Sequence, residues 1–125
     1  MSDSRKRILV VDDESSVRDS LKLLLKTNFQ VEVAEDGEQA LSMLETFEPD
    51  LVLLDVIMPK LDGLETLKRV KEGHPTLPVV MLTATNTVRT AVQAMKYGAT
   101  DYLNKPFDVE ELTSLIVDTL EEAAT

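Results

Sequence analysis

The chain contains no cysteine and no tryptophan, and it has a single histidine, His74. The lack of cysteine excludes disulfides, thiolate zinc sites and thiol nucleophiles together. One histidine excludes any site built on several imidazoles. Positive charge is also scarce: 13 Lys and Arg stand against 23 Asp and Glu, a formal net charge of −10. Binding a phosphate backbone needs a basic footprint, so nucleic acid is not expected as a direct partner of this domain. An anionic membrane surface is disfavoured for the same reason. Long apolar runs are missing too. Stretches such as residues 8–11 and 79–82 fall far short of the ~18 apolar residues needed to span a bilayer. The first apolar run meets Asp12 and Asp13, which no secretory leader would do. A cytoplasmic protein without membrane contact is therefore expected. What remains is an ordinary globular balance, 43% hydrophobic and 29% charged over 125 residues, which suits one domain. The surplus of acid either serves solubility or is gathered to hold a cation.

Short aliphatic runs alternate with stretches of helical period. Residues 8–11 read as a buried strand, and Val17, Leu21, Leu24 and Leu25 as one face of a helix. Residues 29–33 alternate as a half-buried strand, followed after Asp36 and Gly37 by a helix marked by Ala40, Leu41 and Leu44. Residues 51–54 form a continuous apolar run, the mark of a strand covered on both faces. Leu64, Leu67 and Val70 give a helix opening near Asp62 and Gly63, and residues 78–82 another buried strand. Val88, Ala91, Val92 and Met95 give the apolar face of a fourth helix, stopped by Gly98. Residues 101–103 are a brief strand. Val109, Leu112, Leu115, Ile116 and Leu120 give a last helix, with Asp108 as its N-cap. Five β-α units imply a parallel sheet with helices on both faces, because each right-handed crossover needs a helix to return the chain. Residues 1–6 read as a flexible tail, 7–121 as the domain, and 122–125 as a C-terminal end or the start of a linker.

In an open parallel sheet, ligands bind outside the carboxyl ends of the strands. Asp12, Asp13 and Glu14 follow the first strand, Asp55 the third, Thr83 the fourth and Lys105 the fifth. Carboxylates crowded on one rim repel one another, and a divalent cation resolves the conflict. Oxygen ligands without sulfur or imidazole favour a hard ion, Mg²⁺ or Mn²⁺. A cation, an ammonium and a hydroxyl around one carboxylate make a cradle for a phosphoryl group in transfer, where catalysis is mostly positioning and charge neutralisation. Asp55 is the carboxylate expected to attack, giving an aspartyl phosphate.

Four segments, Val10-Val-Asp-Asp-Glu14, Leu53-Leu-Asp-Val-Ile-Met-Pro59 with Asp62-Gly63, Leu82-Thr-Ala84 and Tyr102-Leu-Asn-Lys-Pro-Phe107, resemble the receiver (CheY-like) domain of two-component response regulators. The resemblance covers about residues 6–121, and Tyr102 to Phe107 with the preceding helix look most like receivers of NtrC-like transcriptional activators. It implies a flavodoxin-like (βα)5 fold, a doubly wound sheet with strand order 2-1-3-4-5. It implies that Asp55 accepts a phosphoryl group from a sensor histidine kinase. Asp12 and Asp13 would hold Mg²⁺, with Asp13, Asp55 and the Ile57 carbonyl as direct ligands. Lys105 would contact the phosphoryl group, Thr83 would swing toward it, and Tyr102 would change rotamer as Thr83 moves. The peptide bond before Pro106 would be cis. The fourth-helix, fifth-strand and fifth-helix surface would be remodelled, controlling an output or a phosphorylation-dependent homodimer. Arg89, Lys96, Asp101 and Asp108 lie on that side, either pairing across a subunit interface or simply solvated. Ile57 and Thr85 offer no carboxylate or amide to orient an attacking water, so rapid self-dephosphorylation is not expected.

Rival readings stay open on the residues alone. An aspartyl-phosphate phosphohydrolase of the haloacid dehalogenase type would carry its nucleophile after the first strand, in an Asp-x-Asp pattern this chain lacks. A flavodoxin would need a hydroxyl- and glycine-rich loop where this chain places acids. A receiver that signals by protein contact without phosphorylation would not need the full Asp, Thr and Lys set. The chain is expected to catalyse at most its own phosphorylation and dephosphorylation, and so is not read as a metabolic enzyme. His74, in a polar turn, is read as solvated. The chain is either a stand-alone regulator or the first domain of a longer one with a C-terminal effector.

Overall fold

The computed structural model describes residues 4–56, 62–84 and 88–124. Among these, five strands alternate with five helices: β1 (Arg7–Val11), α1 (Ser15–Leu25), β2 (Gln30–Ala34), α2 (Gly37–Phe47), β3 (Leu51–Asp55), α3 (Gly63–Gly73), β4 (Val79–Thr83), α4 (Val88–Lys96), β5 (Asp101–Asn104) and α5 (Val109–Ala124). The strands form one parallel sheet in the order β2-β1-β3-β4-β5. The expected fold and strand order hold, and element boundaries differ from the sequence reading by a residue or so.

Side-chain alternation along the buried strands divides the core. Ile8, Val10, Leu51, Leu53, Val80 and Leu82 face Leu21 and Leu25 of α1 and Leu112, Ile116 and Leu120 of α5. Leu9, Val11, Val52, Leu54, Val79 and Met81 face the other layer, with Ala40 and Leu44 of α2, Leu67 and Val70 of α3 and Ala94 of α4. Both sets are needed because right-handed crossovers running in opposite directions along the sheet lie on opposite faces. The central strands are therefore apolar at every position, as residues 51–54 suggest.

Aspartates set where helices begin. Asp36 Oδ1 accepts from the Gln39 amide at 2.8 Å, Asp62 Oδ1 from the Glu65 amide at 2.8 Å, and Asp108 Oδ1 from the Glu110 amide at 3.0 Å. Each satisfies one of the amide donors that a helix N-terminus leaves without a partner. At the other end of α4, Gly98 has φ +99°, a left-handed conformation that reverses the chain into β5. Arg5 and Lys6, read in the sequence as part of a tail, are tied down: Arg5 donates to the Lys26 carbonyl at 2.6 Å, and the Gln30 amide donates to the Lys6 carbonyl. His74 caps the end of α3 and lies 3.3 Å from Glu45, half-buried rather than freely solvated.

The fourth helix departs from expectation. Val88, Val92 and Met95 are 77%, 52% and 50% exposed, and of the described α4 residues only Ala94 is buried. The apolar periodicity is real, but it faces solvent. Small Ala94 lets α4 approach the sheet, and the larger side chains stand on its outer side. Burial, not pattern, therefore separates this helix from α5. The structure predicts that Ile116→Ala costs about 2–4 kcal/mol, whereas Val92→Ala stays within about 0.5 kcal/mol, both read from urea unfolding.

Candidate functional site

The sheet register brings the functional residues level. Val11 pairs with Leu54, Asp55 with Leu82, and Thr83 with Asn104, so the carboxyl ends of β1, β3, β4 and β5 meet at one rim. Asp12 follows directly on β1, Asp55 and Thr83 are the last residues of β3 and β4, and Lys105 follows β5. Asp12, Asp55 and Thr83 are buried, whereas Asp13 is exposed.

Asp12 is held at every polar group. Its amide donates to the Ala34 carbonyl at 3.1 Å. Its Oδ1 accepts from the Glu14 amide at 2.9 Å, and its Oδ2 from Lys105 Nζ at 2.6 Å. Its carbonyl accepts from Arg18 Nη1 at 2.7 Å. Lys105 Nζ also lies 3.7 Å from Asp55 Oδ1, so one ammonium bridges carboxylates from β1 and β3. Burial alone would push this ammonium down. The hydrogen bond to Asp12 and the charges of Asp12, Asp55 and Glu14 outweigh that and hold it above the ordinary lysine range.

Two local features place Lys105 and Asp55. The Lys105 amide donates to the Thr83 carbonyl at 2.6 Å, and the Lys105–Pro106 peptide is cis. Beyond β3, the Val56 amide donates to the Leu82 carbonyl, and the Gly63 amide to the Val56 carbonyl. At Gly63 a Cβ would overlap the Asp55 carbonyl oxygen and approach Val56 Cα to 2.6 Å. Only glycine lets α3 start this close to the strand carrying the acid. Tyr102 lies on β5, half-buried against the core layer that contains Met81 and Ala94. The Ile57 carbonyl and Thr85 fall outside the described residues.

One carboxylate oxygen from each of Asp12, Asp13 and Asp55 lies within 4.8 Å of the others. With Lys105 beside them, the formal charge of this group is −2. An all-oxygen donor set with that excess suits a hard divalent cation. Arg18 was not singled out in the sequence as part of this site. Arg18 carries a faint signal, because a cation in the first turns of a helix opposes the helix dipole.

The sequence profile of the response regulator receiver domain matches residues 8–117. The chain belongs to this family. It is 48% identical over 107 residues to the response regulator MprA of Mycolicibacterium vanbaalenii, an alignment covering 85% of this chain and 46% of MprA. The receiver domain protein (CheY-like) of Methanospirillum hungatei superposes with TM-score 0.93 at 30% identity, covering 97% of this chain and 98% of that one. NtrX of Brucella abortus superposes with TM-score 0.90 at 36% identity, covering 96% of this chain and 28% of NtrX. The chain thus spans less than half the length of MprA and less than a third of NtrX. Among the described residues, no helix is long and apolar enough to cross a membrane.

The balance of charge at the rim makes opposite predictions for its members. Lys105→Met removes the ammonium between the Asp12 and Asp55 carboxylates and should lower stability by about 2–4 kcal/mol in metal-free buffer. Asp55→Asn relieves repulsion and should raise Tm under the same conditions, since the carboxylate is desolvated beside two others. Thermal unfolding in the presence of a chelator measures both.

Proposed function

We propose that this receiver domain is a phosphorylation-activated switch, with Asp55 as phosphoacceptor and a sensor histidine kinase as donor. Its buried carboxylate, set among Asp12, Asp13 and Lys105 at the sheet rim, is the observation that carries this reading. An Asp55 carboxylate oxygen attacks phosphorus, the P–N bond to the donor imidazole breaks, and an acyl phosphate forms. Mg²⁺ or Mn²⁺, when bound by Asp12, Asp13 and Asp55, supplies charge neutralisation for the incoming oxygens. The Ile57 carbonyl completes the proposed ligand set.

Lys105 is placed to exchange its contact with Asp55 for one with a phosphoryl oxygen, because its ammonium already faces both acids and has three donors. Thr83 brings a hydroxyl from the neighbouring strand. Its movement toward the phosphoryl group would let Tyr102 turn inward, and the β4 end, α4, β5 and α5 would then settle in a second arrangement. Differential contacts at the phosphoryl group are what shift such a two-state equilibrium. The remodelled α4–β5–α5 surface would act on a homodimer contact or on an effector domain, as in transcription regulation, with the signalling confined to the cytoplasm. Such a chain catalyses its own phosphorylation and dephosphorylation, with no turnover of an external substrate.

Incubation with acetyl phosphate and Mg²⁺, read by intact mass, tests this. One alkali-labile phosphoryl group per chain is expected, absent without divalent cation and absent in Asp55→Asn. Failure to take up phosphate from any acyl phosphate or phosphohistidine donor would remove the reading. Sustained hydrolysis of a phosphate ester would instead favour the phosphohydrolase.

A further inference from the structure

We infer that Arg18 is a positioning residue for divalent-cation binding, an inference that rests on the metal site proposed above. The Asp12 amide makes the last sheet bond of β1, to Ala34, and the chain then leaves the sheet. The next peptide, joining Asp12 to Asp13, lies outside the sheet ladder and is spanned by the Glu14 amide bond to Asp12 Oδ1. Arg18 Nη1 donates to the carbonyl of that peptide at 2.7 Å and fixes its plane. The Asp12 side chain is already set by the Glu14 amide and Lys105. Asp13 has no such anchor: it is exposed, and its carboxylate has no hydrogen-bond partner among the described residues. The direction of Asp13 is therefore inherited from the peptide that Arg18 holds.

The guanidinium has other options that it does not take. Glu14 lies one helical turn before it and Asp19 directly after it, yet no carboxylate among the described residues pairs with it. It stands half-buried in the second turn of α1, where the helix dipole disfavours a cation. An outer group that orients a metal-ligating side chain is worth about tenfold or more in metal affinity.

Positioning and simple charge predict opposite signs. A positive charge near a cation site weakens cation binding, so its removal should tighten Mg²⁺ if charge were the whole effect. If Arg18 holds the Asp12–Asp13 peptide, its removal should loosen Mg²⁺. Mg²⁺ affinity is measured by isothermal titration of the unphosphorylated chain, for the parent, Arg18→Met, and Arg69→Gln as a control in an exposed pair with Glu65. Arg18→Met is expected to weaken Mg²⁺ by about tenfold, with Arg69→Gln unchanged. Tighter or unchanged binding in Arg18→Met overturns the inference, even if its Tm falls. If Arg18→Met does not fold, Arg18→Lys is titrated instead. It keeps the charge and shortens the reach, and a weaker affinity is again expected while an unchanged one overturns. A parent that binds no Mg²⁺ would instead remove the metal site itself.

Discussion

Three carboxylates meet at the rim of the sheet, two of them on one ammonium, and much of the structure serves to hold that arrangement. Asp12 and Asp55 come from strands that are neighbours in space but 43 residues apart in sequence. Lys105 closes the group from the end of the fifth strand, 2.6 Å from Asp12 and 3.7 Å from Asp55. Buried charge of this kind is unfavourable unless paired and hydrogen-bonded. The pairing here is incomplete by construction, with more acid than base. A surplus of −2, carried by two buried acids and an exposed one, is a donor set that suits a hard divalent cation.

The fold supplies rigidity where that surplus would push the groups apart. Both faces of the central strands are covered, so the backbone that carries the acids has aliphatic side chains locked above and below it. Gly63 allows α3 to begin against the Asp55 carbonyl, which removes slack on one side. The Glu14 amide and Arg18 remove slack on the other. The covered sheet contrasts with α4, whose described anchoring in the core comes from Ala94. A helix held by so small a side chain has less apolar area to lose on shifting than α5, which buries Leu112, Ile116 and Leu120. The proposed moving part is thus the one least firmly fixed, as local stability requires of a switch element.

Much of this was legible in the sequence for a simple reason. A parallel sheet puts chemistry at strand ends, and strands covered on both faces announce themselves as aliphatic runs. Once residues 8–11, 51–54 and 78–82 are strands, Asp12, Asp55 and Thr83 must share a rim. The N-cap at Asp108 was equally readable, because capping is local, whereas Asp36 and Asp62 marked only where a helix opens. The orientation of α4 was not. Its valines and methionine repeat with the same period as a buried face, and periodicity reports that an apolar side exists without saying what covers it. Only the placement of Ala94 against Met81 and its neighbours decides the matter, and that is tertiary information.

Arg18 was hidden for a different reason. Its contact is to a backbone carbonyl, and carbonyls carry no sequence signature. A charged side chain bonded to a carboxylate can be guessed from complementary charges at helical spacing; one bonded to a peptide cannot. Yet the peptide it holds belongs to the Asp12–Asp13 pair, the most conspicuous motif in the chain. The acids of a cation site are written in the sequence as residue types, whereas the direction in which they point is set by bonds to the backbone. The −10 charge therefore divides unevenly. Three acids form the rim group at which the fold concentrates its constraints, and helix-capping aspartates such as Asp36 and Asp108 are explained by local hydrogen bonding and solvation.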